Sequence, residues 1–265
     1  MAPGTGVAPA AAHVFVDRSD AHGSDDHGLG ADRLLLRAED AHHLVRVLRL
    51  RDGQPVTAGD GAGAWRLCRL RLAPGADPEL EPAGPVVEEP PDRPELAVAV
   101  ALPKGDRGDW AVQKLTELGV DRILPLVAAR SVVRWSGQRA ERGQERLGRI
   151  ARAAAMQSRR ARLPVVAPPA DPASVVGAHP GAVCAAEAGG GPPALDWPIV
   201  LVGPEGGWDP GELPADLPRV GLGPTTLRTE TAAVAVAAAL VLLRAGLVAP
   251  AGGPADPPPA PLGVS

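Results

Sequence analysis

The stretch IVLVGPEGGWDPGEL, residues 199–213, runs four apolar residues, three of them β-branched, straight into Gly203, Pro204, Glu205, Gly206 and Gly207. A buried strand ending in such a turn has a chemical use. At the carboxyl ends of strands in open α/β sheets, glycines let backbone N–H and C=O groups approach a ligand closely, where a side chain would fill the ligand's space. Farther on, VGLGPTTLRTETAAVAVAAALVLLRAG repeats the device, with Gly221, Gly223 and Pro224 followed by a polar run that opens an alanine-rich helix. Thr229 is expected to cap that helix, and Glu230 in its first turn complements the dipole. Two such loops on successive strands can form opposite walls of one pocket. Taken one at a time they are also plain turn chemistry, in a chain with 32 Gly and 31 Pro.

Several other chemistries lack their signatures. There is no GxxxxGK[ST], and the nearest approach to GxGxxG, at Gly61 and Gly63, lacks the third glycine and a following helix. The nucleophile elbow GxSxG is absent as well. Cys68 and Cys184 are far apart, with no CxxC spacing and no partner histidines, so neither a disulfide framework nor a zinc site is indicated and a cytosolic compartment is expected. The start of the chain, MAPGTGVAPAAAH, lacks a basic n-region and a long apolar h-region, and no run approaches the length of a membrane span. The expectation is a soluble protein.

With 265 residues and 45% hydrophobic content the chain can bury one large core or two smaller ones. Its net charge of -4 hides a segregation: Lys104 to Arg162 carries 14 Lys/Arg against six Asp/Glu, and His42 to Leu72 carries six against two. Such local positive charge in an acidic protein suits a polyanion, although an arginine-rich solvated helix has the same composition.

The elements that must position the glycine loops follow from punctuation. Residues 1–12 and 248–265 are Pro/Gly/Ala tails expected to be disordered, and EEPPDRPE, centred on an 89–94 linker, divides two domains of unlike pattern. The first, 13–88, has short strand candidates and an Asp60-Gly61 hairpin signal between Val56-Thr57 and the alternating Trp65, Leu67, Leu70 and Leu72, which suits a small β barrel. Within it, EDAHHLVRVLRLRDG places Leu44, Val47 and Leu48 at helical spacing with Arg46 and Arg49 on another side; His42 and His43 read as cap or surface histidines. The second domain, 95–247, alternates strands with helices, the pattern of an α/β fold with a largely parallel sheet. Asp106 is expected to cap a helix carrying Val112, Leu115 and Leu118 and ended by Gly119. A later helix sets Leu147, Ile150, Ala151, Ala154 and Ala155 in one stripe flanked by Arg142, Arg146, Arg149 and Arg152.

LVGPEGGW, LGPTTLRTETA, KGDRGDWAVQKLTELGV, RSVVRW, AAAMQSRRARLP and HHLVRVLRLRDG, in that ensemble, resemble the RsmE family of 16S ribosomal RNA uracil-N3 methyltransferases over Phe15 to Leu247. The resemblance implies a PUA-like β-barrel domain followed by a SPOUT-type methyltransferase domain that binds S-adenosylmethionine in a trefoil knot and works as a cytoplasmic homodimer on the small ribosomal subunit. It implies one cofactor wall from Leu201, Gly203, Pro204, Glu205, Gly206 and Gly207, and the other from Leu222, Gly223, Leu227, Thr229 and Thr231, with Glu205 supporting the loop. Together with the basic segments it implies RNA contacts from Arg46, Arg49, Lys104, Arg107, Arg134, Arg149, Arg152, Gln157, Ser158 and Arg160. Two positions depart from the family: Met156-Gln157-Ser158-Arg159-Arg160 stands where Glu-Gln-Ser-Gly-Arg is usual, and Thr225 where an arginine is expected. Arg159 is a compensating cation for phosphate.

The implied chemistry assigns two more roles. S-adenosylmethionine is an activated methyl donor, so the reaction needs in-line positioning and neither a metal nor a covalent intermediate. Uracil N3 carries a proton that must leave, which calls for a base or for a cation that stabilises the uracil anion. Arg228 is the candidate cation and Glu230 the candidate base or orienter. Two alternatives stay open from sequence: another SPOUT-type RNA methyltransferase, or a non-catalytic RNA-binding protein of ribosome assembly.

Overall fold

Short apolar runs broken by turn residues build the first half of the chain into a five-stranded sheet. In the computed structural model, which describes residues 10–16, 28–133 and 135–249, its elements are β1 (Ala12–Phe15), β2 (Leu34–Leu35), α1 (Ala38–His42), β3 (Pro55–Gly59), β4 (Ala64–Arg71) and β5 (Glu79–Glu88). The strand order is β1-β3-β4-β5-β2, with β1 parallel to β3 and the remaining pairs antiparallel. Asp60 Oδ1 closes the β3–β4 hairpin by accepting from the amides of Ala62 at 2.7 Å and Ala64 at 3.0 Å. The expected tails fall largely outside the described residues. Ala12 already belongs to β1 and Ala10 is buried, so the first domain begins ahead of the expected boundary at 13.

Two local expectations are corrected. A bulge between Arg66 and Cys68 shifts the parity of β4, so Cys68 and Leu70 face the core while Trp65 and Leu67 are only half-buried. The basic helix is also shorter than its periodicity suggested. After α1 the chain widens into a π turn, His43–Val47, which buries Leu44 but swings Val47 (58% exposed) and Leu48 (42%) outward beside the exposed Arg46 and Arg49.

After residues 89–96 comes the α/β domain: β6 (Ala97–Val100), α2 (Asp106–Leu118), β7 (Arg122–Pro125), α3 (Gly137–Ser158), β8 (Val165–Val166), α4 (Pro172–Ala178), β9 (Val183–Gly191), β10 (Ile199–Val202), β11 (Arg219–Val220) and α5 (Thr229–Arg244). Its sheet is parallel throughout, in the order β11-β9-β10-β6-β7-β8. Alternation on the central strands divides the core in two. Val98, Val100, Val200 and Val202 pack under α2, α3 and α5, while Ala97, Ala99, Ile199 and Leu201 face α4 and the segment holding Leu213 and Leu217. Gly119 ends α2 in the left-handed conformation at φ 104°, as a C-terminal glycine should. Asp106 is the first residue of α2 rather than its cap; Gly105, at φ 75°, takes the cap position. Among the described residues no helix is long and apolar enough to cross a membrane.

One buried ion pair joins the two domains. Arg152 of α3 grips Asp40 of α1 through both carboxylate oxygens, at 2.9 and 2.7 Å, and also donates to the carbonyl of Phe15 at 2.9 Å. The two side chains are 13% and 5% exposed, so neither charge has water to fall back on. Removing one partner of such a pair costs about 3–5 kcal/mol, whereas an apolar replacement of both costs far less. Asp40→Asn is therefore expected to destabilise the protein by about 3 kcal/mol or more in urea denaturation, and Asp40→Leu with Arg152→Met to recover most of the loss.

Candidate functional site

Sheet topology assembles the site. Because β10 lies between β6 and β9 and runs parallel to both, its carboxyl end sits beside that of β6, and the loop from Gly203 to Gly207 faces the first turn of α2. The polar run after β11 returns to the same end, where α5 begins. The join is a hydrogen bond: Thr229 Oγ1 donates to the carbonyl of Gly203 at 2.9 Å. Thr229 is thus not the cap of α5; Arg228 holds that position with no side-chain capping bond. The hydroxyl instead satisfies a carbonyl at the end of β10, and so ties the start of α5 to the 203–207 loop.

The glycines have individual reasons. A Cβ on Gly203 would lie 2.9 Å from the indole Cε2 of Trp208, so this glycine makes room for a ring of its own chain. On Gly206 a Cβ would press on Arg130, at 3.3 Å from its Cδ and 3.4 Å from its Cβ. Gly207 at φ 72° and Gly223 at φ 120° adopt backbone that L side chains avoid, with open space around both. The expectation that each glycine clears space for a ligand is corrected to this mixture, in which only the last two leave space empty. Leu201 is fully buried and offers the pocket only its backbone; Pro204 is buried, Leu222 and Leu227 half-buried, and Thr231 exposed.

Behind the loop stands an array that pattern reading missed. Arg130, just after β7, binds Asp209 at 2.5 Å and the carbonyl of Gly206 at 2.7 Å. Glu212 accepts from the amides of Ala129 at 2.6 Å and Asp209 at 2.9 Å. The available signal was the pair of carboxylates at 209 and 212 in WDPGEL, spaced to fold back on one turn.

The charged groups of the site divide into engaged and free. Glu230 is buried; its Oε1 lies 3.6 Å from Arg107 Nη1, and its buried Oε2 has no hydrogen-bond partner among the described residues. Arg107 Nη1 also lies 3.4 Å from Glu205 Oε1. Arg228 is exposed, and its guanidinium has no partner among the described residues. Lys104 is exposed at the end of the loop after β6. Both cysteines are buried, and burial pushes their thiols up to about 11 for Cys68 and about 12 for Cys184, too high for a nucleophile at neutral pH.

The other expected RNA contacts separate by burial. Arg152 is held by Asp40, and Arg160, 14% exposed, donates to the carbonyls of Thr116 at 2.9 Å and Val120 at 2.8 Å; both guanidinia act in packing. Ser158 Oγ donates to the carbonyl of Ala154 at 2.9 Å. Arg134 lies outside the described residues. Arg46, Arg49 and Arg149 are exposed without a polar partner among the described residues. Arg149 and the exposed Gln157 line a cavity of about 430 Å³ at the domain seam, with Leu48, His43, Met156 and Arg159. His13 also lines it, buried, with Nδ1 2.9 Å from Thr57 Oγ1.

Comparison with known proteins agrees with this geometry. A family profile described as RNA methyltransferase domain matches residues 90–241, and one described as RNA methyltransferase PUA domain matches residues 36–74. The fold is that of an RNA methyltransferase that carries a PUA domain. Ribosomal RNA small subunit methyltransferase E of Mycobacterium bovis is 36% identical over 231 residues, covering 77% of this chain and 84% of the relative. The protein of that name from Synechocystis is 34% identical, covering 72% and 67%. Among solved structures, the Neisseria gonorrhoeae enzyme of the same name, bound to S-adenosyl methionine, superposes with a TM-score of 0.70 at 28% identity, over 88% of this chain and 97% of that one. A probable rRNA-methyltransferase from Porphyromonas gingivalis gives 0.67 at 30% identity, over 82% and 95%. The chain belongs to the ribosomal RNA small subunit methyltransferase E family.

Two outcomes follow for the geometry. Thr229→Val leaves the Gly203 carbonyl without its donor, and is expected to cost about 1–3 kcal/mol, read as a lowered denaturation midpoint at unchanged m. Burial, reinforced by Arg159 and Arg152, pushes the His13 imidazole down from 6.5 to about 4. The unfolded chain then takes up a proton that the folded chain refuses, so stability is lost as pH falls from 6.5 toward 4 and the loss levels off below that. Its size is at most about 3 kcal/mol. His13→Gln should flatten the pH dependence of the urea midpoint across that window.

Proposed function

We propose that this chain transfers the methyl group of S-adenosylmethionine to N3 of a uridine in 16S ribosomal RNA. The observation that carries the reading is the pairing, at the start of α5, of a free cation with an unused acceptor: among the described residues Arg228 has no partner, and the next acidic residue, Glu230, keeps a buried Oε2 that none of them satisfies. A buried orphan acceptor is costly and marks a place where a ligand donor belongs. The bound cofactor supplies an activated methyl group, and Leu201, Gly203 to Gly207, Leu222, Gly223, Leu227, Thr229 and Thr231 would hold it, largely through backbone.

The chain's own work is then positioning and charge. Glu230 Oε2 receives the N3 proton or orients the ring, and Arg228 stabilises the negative charge that develops on uracil as the proton leaves. Arg46, Arg49, Lys104 and Arg149 meet phosphates, which matches their exposure and lack of partners. The reading includes a trefoil knot, which is consistent with the family; at the edge of that sheet β9 and β11 pack so closely that a Cβ on Gly190 would lie 2.5 Å from the carbonyl carbon of Val220. It includes a homodimer in the cytoplasm, supported by exposed Trp110 on α2 and Leu242 on α5, two helices that pack together.

The test is methylation of small ribosomal subunits that lack the modification, followed by nucleoside mass spectrometry. The expected product is 3-methyluridine, and any other methylated nucleoside rejects the assignment. The single-turnover rate at saturating cofactor should rise with pH through neutrality to a plateau. Arg228→Ala should lower that rate by about two to three orders of magnitude with cofactor affinity little changed. Disappearance of the whole defect at saturating cofactor would move Arg228 from the reacting ring to cofactor binding.

A further inference from the structure

Arg107 occupies a place that its expected phosphate contact does not explain. It is the second residue of α2, at the carboxyl end of β6, and the parallel pairing of β6 with β10 brings it against the 203–207 loop. A single guanidinium nitrogen, Nη1, stands between two carboxylates from opposite walls of the site, 3.4 Å from Glu205 Oε1 and 3.6 Å from Glu230 Oε1. The side chains of Arg107 and Glu205 are 48% and 40% exposed, that of Glu230 only 9%. The cations around it are differently employed: Lys104 and Arg228 point to solvent without partners among the described residues.

We infer that Arg107 is a positioning residue that draws Glu205 and Glu230 together and so holds the two walls of the cofactor pocket at their working separation. The inference rests on reading the glycine loops as the S-adenosylmethionine pocket. Its physical basis is charge balance. Without the guanidinium, two carboxylates face each other across the pocket, and the one on α5 is buried with an oxygen that already lacks a partner. A buried anion stripped of its counter-charge moves toward water or takes a proton. Either response changes the pocket: the 203–207 loop is displaced, or Glu230 turns its acceptor away. Thr229 still ties the start of α5 to Gly203, so the effect is one of alignment and not of folding. Phosphate contact makes the opposite demand, since a guanidinium committed to two carboxylates offers RNA little net charge.

The two roles separate experimentally. Cofactor binding is measured by calorimetry with S-adenosylmethionine alone, and RNA binding by the salt dependence of affinity for small-subunit RNA. Arg107→Ala is expected to weaken cofactor binding about tenfold or more, with the log-log salt slope of RNA binding unchanged. Arg107→Lys should restore part of the affinity, because the charge returns without the planar fork. Adding Glu205→Gln to Arg107→Ala should also restore part of it by removing the repulsion, a rescue that a merely folded scaffold gives no reason to expect. Methylation kinetics should show KM for the cofactor raised and kcat lowered as well, because Glu230 loses its place, with both partly recovered in Arg107→Lys. Arg107→Ala with wild-type cofactor affinity and a salt slope smaller by about one overturns the inference and makes Arg107 a phosphate contact. A Glu205→Gln addition that worsens binding also overturns it. Wild-type protein that fails to bind S-adenosylmethionine rejects the pocket reading itself, a result distinct from either.

Discussion

Thr229 Oγ1 donates to the carbonyl of Gly203, and the arrangement of every other group in the site depends on that bond. β10 ends in the core with the Val202 carbonyl paired to the amide of Ala101, and the next carbonyl, that of Gly203, takes its donor from Thr229. α5 starts with amides that no side chain caps. Joining the two brings an unsatisfied acceptor and an uncapped helix start to one point. From there Glu230 is one residue along α5, Glu205 two residues along the loop, and Arg107 is within reach of both because β6 is the neighbour of β10. The bond also restricts where a ligand can lie, because it closes the base of the gap between the glycine loops and leaves the space around Gly207 and Gly223 open.

The second constraint is at the domain seam. Arg152 sits on the α3 helix whose other face packs against α2, and it holds Asp40 at the base of the basic π turn. The π turn that follows α1, with Arg46 in it and Arg49 just beyond, is thereby indexed to the helix carrying Arg149. A polyanion that touches both domains meets cations at a fixed spacing, and the entropy of aligning two loosely tethered domains need not be overcome at binding. An ion pair buried this deeply is a poor source of net stability; its use is to select one relative placement over others.

What was legible in the sequence was local or periodic. The alternation of strands and helices, the glycine stop of α2, the hairpin at Asp60 and the apolar stripe of α3 all follow from neighbours a few residues apart. The two glycine loops were legible as a candidate ligand site because a strand end, a turn and a helix start succeed one another twice. Side-chain partners were not. Thr229 bonds 26 residues away, Arg107 reaches Glu205 across 98 and Arg152 reaches Asp40 across 112. Local rules offered each a plausible short-range use, a helix cap for Thr229 and solvated or phosphate-facing positions for the arginines. Burial overrode those uses, because a carbonyl or carboxylate in the interior demands a donor more strongly than a helix end in water does. The reason for Gly203 was hidden for the same cause, since Trp208 folds back onto it only once the turn has formed.

The contrast between Arg107 and Arg228 shows how one site can use two guanidinia differently. Arg107 faces two carboxylates, so its field is largely cancelled at short range and its effect is mechanical. Arg228 has no counter-charge among the described residues and stands at the start of a 16-residue helix, where the helix dipole adds positive potential. Glu230 in the first turn would offset that potential, but its Oε1 is turned toward Arg107. The positive potential at the cap is thus left for whatever anion forms in front of it. A uracil ring losing its N3 proton is such an anion only during the reaction. In the proposed reaction a cation left unpaired at that position would favour the transition state over the neutral ring, which is what differential stabilisation requires. If Arg107 were free as well, the pocket would attract the phosphates of RNA as readily as the base. Engaging it with Glu205 and Glu230 leaves Arg228 and Lys104 as the uncommitted cations near the pocket, with Arg149 on α3 and Arg46 on the π turn set farther out.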